Sequence, residues 1–223
     1  MVNKIIDLHK TVIILNGILP RKKIIKKFVK NRIIIAADGA LSKLLDINII
    51  PHYVIGDMDS CEVKNKESIK YIHIDNQDYT DFDKSILYAK KYNLSPTIIL
   101  GINGEEIDHT INNLYSLMKY YKISGAIFID QYSDDKISND KIKIGIPCDS
   151  KIELKLPLKS IISIIPFPKA NISSKGLHWE LKYTLLENLA TSARNFSIDE
   201  NIELTVHNGK VLLIIDYFAN LIC

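Results

Sequence analysis

Six aspartates carry the chemistry open to this chain. Asp38, Asp57, Asp59, Asp78, Asp81 and Asp108 each fall at or soon after the end of a run that reads as a β-strand. In open α/β sheets, ligands bind beyond the carboxyl ends of the strands. Carboxylates gathered at one sheet edge repel each other unless a cation lies among them. Hard oxygen donors without a Cys/His cluster select Mg²⁺, Mn²⁺ or Ca²⁺ over zinc. The spacing in Gly56-Asp57-Met58-Asp59-Ser60 puts Asp57 and Asp59 on one side of an extended backbone, where they can share a metal. Gly56 would let the backbone approach a phosphate closely. Recurrence of Asp at four successive strand ends points to one cation–phosphate site. Local structural roles compete: Asp108 can cap the helix it opens, and Thr80 with Asp83 resembles a capping box. His109, on the first turn of that helix, would point away from Asp108.

Several familiar phosphate and nucleophile signatures are missing. The chain has no Gly-x-x-x-x-Gly-Lys-Ser/Thr loop, no Gly-x-Gly-x-x-Gly fingerprint and no Gly-x-Ser-x-Gly elbow.

The elements that must position the aspartates alternate. Strand-like runs are Thr11–Leu15, Arg32–Ala36, Tyr53–Ile55, Tyr71–Ile74, Thr97–Leu100 and Ala126–Asp130. They are apolar on both faces, as in a parallel sheet covered by helices. Helical patterns lie between them at Arg21–Lys30, Ala40–Asp46, Asp81–Tyr92 and Asp108–Tyr121. Alternation of this kind implies an open α/β sheet with right-handed crossovers. In Arg21–Lys30 the stripe Ile24, Ile25, Phe28 and Val29 faces inward and the lysines face water.

After Asp130 the period changes. Strand runs follow one another without helices: Lys141–Ile144, Lys151–Leu156, Ser160–Ile165, Gly176–Leu181, Asn201–Val206 and Lys210–Ile215. His207-Asn208-Gly209 reads as a hairpin turn, and Pro147, Pro157, Pro166 and Pro168 as strand ends and edges. The expected architecture is an N-terminal Rossmann-like, open, mostly parallel sheet with flanking helices, followed by a C-terminal antiparallel β-sandwich. The boundary is expected in the polar stretch 131–140, giving domains of residues 1–135 and 136–223.

Composition excludes several classes. The chain has 223 residues, 47% of them apolar, and a formal net charge of +3 from 29 basic and 26 acidic side chains. So even a balance argues against a nucleic-acid partner and against a long disordered chain. No run of about 18 apolar residues predicts a membrane span. The N-terminus lacks a signal-peptide core. Three scattered cysteines (Cys61, Cys148, Cys223) form no Cys-x-x-Cys pair. That predicts neither disulfide framework nor zinc knuckle, and a reduced, cytoplasmic location.

Five blocks, in order, resemble the thiamine pyrophosphokinase family. They are Ala37-Asp38-Gly39-Ala40; Pro51 to Ser60, ending Gly-Asp-Met-Asp-Ser; Gln77-Asp78-Tyr79-Thr80-Asp81-Phe82-Asp83-Lys84; Gly104-Glu105-Glu106-Ile107-Asp108-His109-Thr110; and Gly176-Leu177-His178-Trp179-Glu180-Leu181. The resemblance covers nearly the whole chain. It implies a homodimer that transfers the terminal diphosphate of ATP to the thiamine hydroxyl and releases AMP. It implies Mg²⁺ (or Mn²⁺) as cofactor, held by Asp57, Asp59 and Asp78. ATP would be bound by Asp38, Gly39, Asp78, Thr80, Asp81, Lys84, Asp108 and His109. Catalysis would rest on Asp57, Asp59, Asp81 and Asp108, with Asp81 and Asp108 both candidates to take the hydroxyl proton. Trp179 would stack on thiamine, whose cationic ring suits an aromatic face, with Ser192 and Asn195 beside it. Leu177, Trp179 and Leu181 would share one strand face.

The chain departs from the family pattern at named positions. Glu106 stands for an Arg, Ala40 for a Gly, Ser42 for an Asn and Tyr79 for a Thr. A Ser-Asn pair near the thiamine site is replaced by Thr191-Ser192-Ala193-Arg194-Asn195. A Glu beside a polyphosphate repels it unless a cation intervenes. Two rival readings follow: a related pyrophosphokinase for another acceptor such as a hydroxymethyl pterin, or a non-catalytic thiamine or nucleotide sensor.

Overall fold

The computed structural model describes residues 2–59, 67–132, 141–188 and 192–217. Ser60, Cys61, Thr191 and Cys223, and the expected boundary at residue 135, lie outside them. The chain forms two compact units, Leu8–Asp130 and a second made of Met1–Asp7 with Gln131–Cys223. The first helix, α1 (Val2–Leu8), therefore contributes its first six residues to the later unit, unlike a simple division near residue 135. Among the described residues no helix is long and apolar enough to cross a membrane.

The first unit alternates β1 (Thr11–Ile14), α2 (Lys22–Val29), β2 (Ile33–Ala37), α3 (Leu41–Asp46), β3 (Tyr53–Gly56), β4 (Lys70–His73), α4 (Asp81–Lys91), β5 (Thr97–Leu100), α5 (Ile107–Ser124) and β6 (Ile127–Tyr132). The strands pair in parallel in the order β6-β5-β1-β2-β3-β4. Every residue of β1 and β5 is buried, which is why these strands read as unbroken apolar runs. On α2, Ile24, Ile25 and Phe28 are buried and Lys22, Lys23, Lys26 and Lys27 are exposed. Burying each of those three side chains contributes roughly 1.5–3 kcal/mol.

Strand order reverses at β1: β2, β3 and β4 lie on one side, β5 and β6 on the other. The loops leaving β1 and β5 flank that switch point, where doubly wound sheets bind ligands. They are bound tightly to each other. Leu15 N donates to Leu100 O at 2.9 Å and Ile18 N to Asn103 O at 2.7 Å. A Cβ on Gly17 would lie 2.3 Å from the carbonyl oxygens of both Gly101 and Asn103, so only glycine fits there.

The second unit is antiparallel, with β7 (Lys141–Cys148), β8 (Lys151–Lys155), β9 (Ile161–Lys175), β10 (Thr184–Leu186), β11 (Asn195–Phe196) and β12 (Asn201–Tyr217). The order is β10-β9-β12-β7, with β8 on β12 and β11 on β9. Three local expectations are corrected. The Asn208-Gly209 hairpin is instead a pair of bulges inside one continuous strand. Both flanks of β12 pair with the same neighbour, Val206 with Ile172 and Val211 with Pro166, so the chain runs straight on. For the same reason β9 continues through Pro166 and Pro168 to Lys175, the prolines lying at the irregular register. Finally, Gly176–Leu181 is a loop. The Glu180 carboxylate folds back to accept Gly176 N at 2.6 Å and Leu177 N at 3.0 Å. Leu177 and Leu181 are buried while Trp179 is 54% exposed, so the three share no face.

Candidate active site

Asp38 sits in the 3₁₀ turn Asp38–Ala40 that directly follows β2. Its side chain is buried, with Oδ1 accepting Gly39 N at 2.5 Å and Oδ2 accepting Met58 N at 3.0 Å. Gly56 makes room for it, because a Cβ there would come within 2.6 Å of Asp38 Oδ2. Burial, and then the negative charge of Asp81, raise the Asp38 pKa from 3.8 to about 6. The two carboxyls also share a hydrogen bond, which favours the protonated form of Asp38.

Asp57 follows β3 and keeps its carboxyl below the ordinary range. Gln77 Nε2 donates to Oδ2 at 3.2 Å and Asp59 N to Oδ1 at 3.2 Å, with Lys84 adding positive charge. Between them Met58 has φ +65°, so the backbone is not the extended one from which the same-side placement of Asp57 and Asp59 was expected. Asp59 is exposed. Asp78 is exposed too, its backbone N held by Asn76 Oδ1 at 2.7 Å.

Helix α4 supplies Asp81 and Lys84. Thr80 caps it as expected, accepting Asp83 N at 3.2 Å. Lys84 Nζ lies 3.1 Å from Asp81 Oδ1, one helical turn away, with 3% of the lysine side chain exposed. Loop Gly101–Glu106 is fixed by Thr110 Oγ1, which accepts Gly104 N at 2.9 Å, and by Asn113 Nδ2, which donates to Ile102 O at 3.0 Å. The cap of α5 is Glu106, and it makes no side-chain cap bond; Asp108 lies inside the first turn and accepts His109 N at 2.8 Å. Lys43 of α3 pairs with Glu105 at 2.9 Å and also donates to Gly17 O at 3.2 Å.

Together these loops enclose a cleft of ≈ 390 Å³. Asp57, Thr80, Asp81, Lys84 and His109 line it, while Asp38 is buried beside Asp81 and Met58. Asp59, Asp78 and Asp108 are not among its walls. His109, one of the residues the resemblance assigned to ATP, lines the cleft along with Asn112 and Asn113, which the sequence reading passed over. Their i, i+3, i+4 spacing on α5 was the available signal. Asn16 and Gln77 were also missed. Among the described residues no three Asp, Glu, His or Cys side chains converge as a ready metal-holding group.

In the second unit, Trp179, His178 and Phe196 cluster. His178 stacks on Phe196 at 4.4 Å, and Trp179 meets His178 edge-on at 4.7 Å. Fully buried Asn195 brackets the tryptophan backbone, accepting Trp179 N at 3.2 Å and donating to Trp179 O at 2.8 Å. Ser192 is fully buried, and its Oγ has no hydrogen-bond partner among the described residues.

The class defined so far is a doubly wound α/β protein with an acidic, lysine-paired cleft at its switch point and an antiparallel C-terminal layer. Comparison with known proteins narrows it. Residues 25–129 match the family model "thiamin pyrophosphokinase, catalytic domain". Thiamin pyrophosphokinase 1 of Caenorhabditis elegans is 25% identical over 167 residues, 69% of this chain and 66% of that protein. Thiamine pyrophosphokinase of Bacillus subtilis (strain 168) is 30% identical over 140 residues, 60% of this chain and 62% of that protein. The aligned stretches thus span just under two thirds of these relatives. The crystal structure of thiamine pyrophosphokinase from Bacillus subtilis superposes with TM-score 0.70 at 20% identity, covering 94% of this chain and all of that one. The yeast thiamin pyrophosphokinase structure gives 0.72 at 17% identity, covering 95% and 87%. The chain is thus similar to thiamine pyrophosphokinases in sequence over residues 25–129 and in fold over nearly its whole length.

Proposed function

We propose that this protein transfers the terminal diphosphate of ATP to the hydroxyl of thiamine, yielding thiamine diphosphate and AMP, as a cytoplasmic homodimer. The similarity to thiamine pyrophosphokinases supports the substrates. The observation that carries the chemistry is the Asp38–Asp81–Lys84 group beside Asp57 at the switch point.

The donor set fits a divalent cation. It offers hard carboxylate oxygens; burial first, and then the neighbouring Asp81 charge, raise Asp38 to about 6, and a cation would offset the repulsion between the two carboxylates. Asp57 and Asp81 would hold Mg²⁺, with Asp59 and Asp78 on the flanking loops available to it directly or through water. When bound, such an ion neutralises polyphosphate charge.

The protein's own groups do the rest. Lys84 places a positive charge at Asp81 and along the cleft wall. His109, Asn112 and Asn113 present hydrogen-bonding groups from one face of α5 to the phosphate chain. Gln77 holds the Asp57 carboxylate in place. Asp81, the one of the two candidate bases that lines the cleft, takes the proton of the attacking hydroxyl. On the acceptor side, the exposed face of Trp179 receives the cationic thiamine ring, and Asn195 fixes the loop that presents it.

The acceptor is tested by supplying Mg²⁺·ATP with thiamine or a hydroxymethyl pterin and measuring acceptor-dependent ATP consumption. Consumption with thiamine alone is expected. Consumption with the pterin alone would reject thiamine as acceptor, and tight thiamine binding without turnover would mark a sensor.

A further inference from the structure

Beside the acidic cleft, in the same unit, a second recess of ≈ 380 Å³ opens between the edge strand β4 and helix α4. Ile72 and Ile74 wall one side, with Leu87, Tyr88 and Tyr92 opposite. The two spaces share a wall: Tyr79 and Lys84 line both. The ammonium of Lys84 is engaged by Asp81, which lines only the cleft, so the stem of the lysine faces the recess. The aromatic rings take no part in the proposed phosphate chemistry, yet Tyr79 and Tyr92 are 38% and 52% exposed. Tyr92 is braced from one side by Tyr88 at 4.4 Å, and Tyr88 by Tyr53 at 5.5 Å.

We propose that this recess holds the purine base of the donor nucleotide while its phosphate chain lies in the acidic cleft. The inference rests on the reading of ATP as donor. A flat heteroaromatic ring needs an apolar slot with aromatic walls and few polar groups, which Ile72, Leu87, Tyr79 and Tyr92 supply. Asn76 stands at the rim. Its carbonyl oxygen is used by Asp78 N, which leaves the amide N–H₂ to meet a ring nitrogen. Lys91 also lines the recess and already places its ammonium 5.4 Å from the centre of the Tyr92 ring, so a second cation such as the thiamine ring is disfavoured there and a neutral purine is not. The shared wall keeps base and phosphates adjacent. Tyr79 supplies a ring at a position where the family pattern has a threonine, so the aromatic wall is a property of this chain.

The test is calorimetric titration of the whole protein with ATP, inorganic tripolyphosphate and thiamine, each with Mg²⁺. Two variants are compared with wild type: Tyr92→Ala, which removes a wall, and Leu87→Trp, which fills the recess. Thermal unfolding confirms that each is folded, and Ile74→Trp, which narrows the recess and does not line the cleft, replaces either that is not. Each variant is expected to weaken ATP by at least about 5-fold, the lower end for losing one base–ring contact, and to leave tripolyphosphate and thiamine unchanged. Unchanged ATP affinity, equal weakening of tripolyphosphate, or a selective loss of thiamine overturns the base site. If the proposed function alone is wrong, no protein forms thiamine diphosphate but the ATP-selective loss remains. If the base site alone is wrong, wild type forms product and the affinities do not separate. Wild type that binds no ATP overturns both.

Discussion

Lys84 Nζ donates to Asp81 Oδ1 at 3.1 Å, and this ammonium is nearly sealed from solvent while Asp81 opens onto the cleft. The lysine is the positive charge set against Asp81, which itself crowds Asp38. Lys84→Met would leave those carboxylates without it. We expect a loss of about 1–3 kcal/mol in urea unfolding, less than for a fully buried pair because Asp81 is one-third exposed. We also expect loss of measurable turnover. Wild-type stability in this variant would show that the pair does not hold the cleft together.

Asp38 gives the metal-free protein a pH dependence of defined sign. Its folded pKa of about 6 lies above the ordinary 3.8, so between those values the native state binds more protons than the unfolded state. The stabilising protonated form is complete below about pH 4 and is lost as pH rises through 6. In EDTA, the thermal midpoint of Asp38→Asn should therefore gain on wild type as pH rises from 4 to 7. Parallel midpoint curves for the two proteins would contradict this.

Gly17 is predicted to be irreplaceable even by alanine. Its φ is ordinary, but the added methyl would sit 2.3 Å from two carbonyl oxygens. The β1 and β5 loops would have to separate, and with them the cleft walls. Gly17→Ala should cost roughly 1–3 kcal/mol and raise the KM for ATP, measured by chemical denaturation and steady-state kinetics.

Asp57→Asn should keep the fold, since the residue is partly exposed and an amide can still meet Asp59 N. Turnover should fall by more than about 100-fold, the scale of losing a major electrostatic stabiliser. Asp59→Asn was expected from sequence to behave alike. Its exposed side chain outside the cleft makes the comparison of the two variants a direct test of whether Asp59 acts.

Much of this was legible in the sequence because local pattern and global fold agreed. Thr11–Leu15 and Thr97–Leu100 read as strands buried on both faces, and the structure has Thr11–Ile14 and Thr97–Leu100; Asp81–Tyr92 read as a helix, which the structure ends at Lys91 behind its Thr80 cap. Failures came where tertiary pairing overrode a local signal. Asn208-Gly209 has the residues of a turn, but a single long neighbour, β9, pairs on both sides of it and holds the strand straight. Gly176–Leu181 has strand-like alternation, but Glu180 curls back onto two backbone N–H groups, and Trp179 turns outward. Within the site, residue types were readable and directions were not. The positive φ of Met58 breaks the extended backbone assumed for Asp57 and Asp59, and the burial of Asp38 beside Asp81 depends on the absence of a side chain at Gly56.

The central claim is diphosphate transfer, and the fate of the ATP phosphates tests it most directly. Purified protein with Mg²⁺, ATP and thiamine should give AMP and thiamine diphosphate in equal amounts, followed by ³¹P NMR or chromatography. ADP with thiamine monophosphate, or no thiamine-dependent product at all, would contradict it.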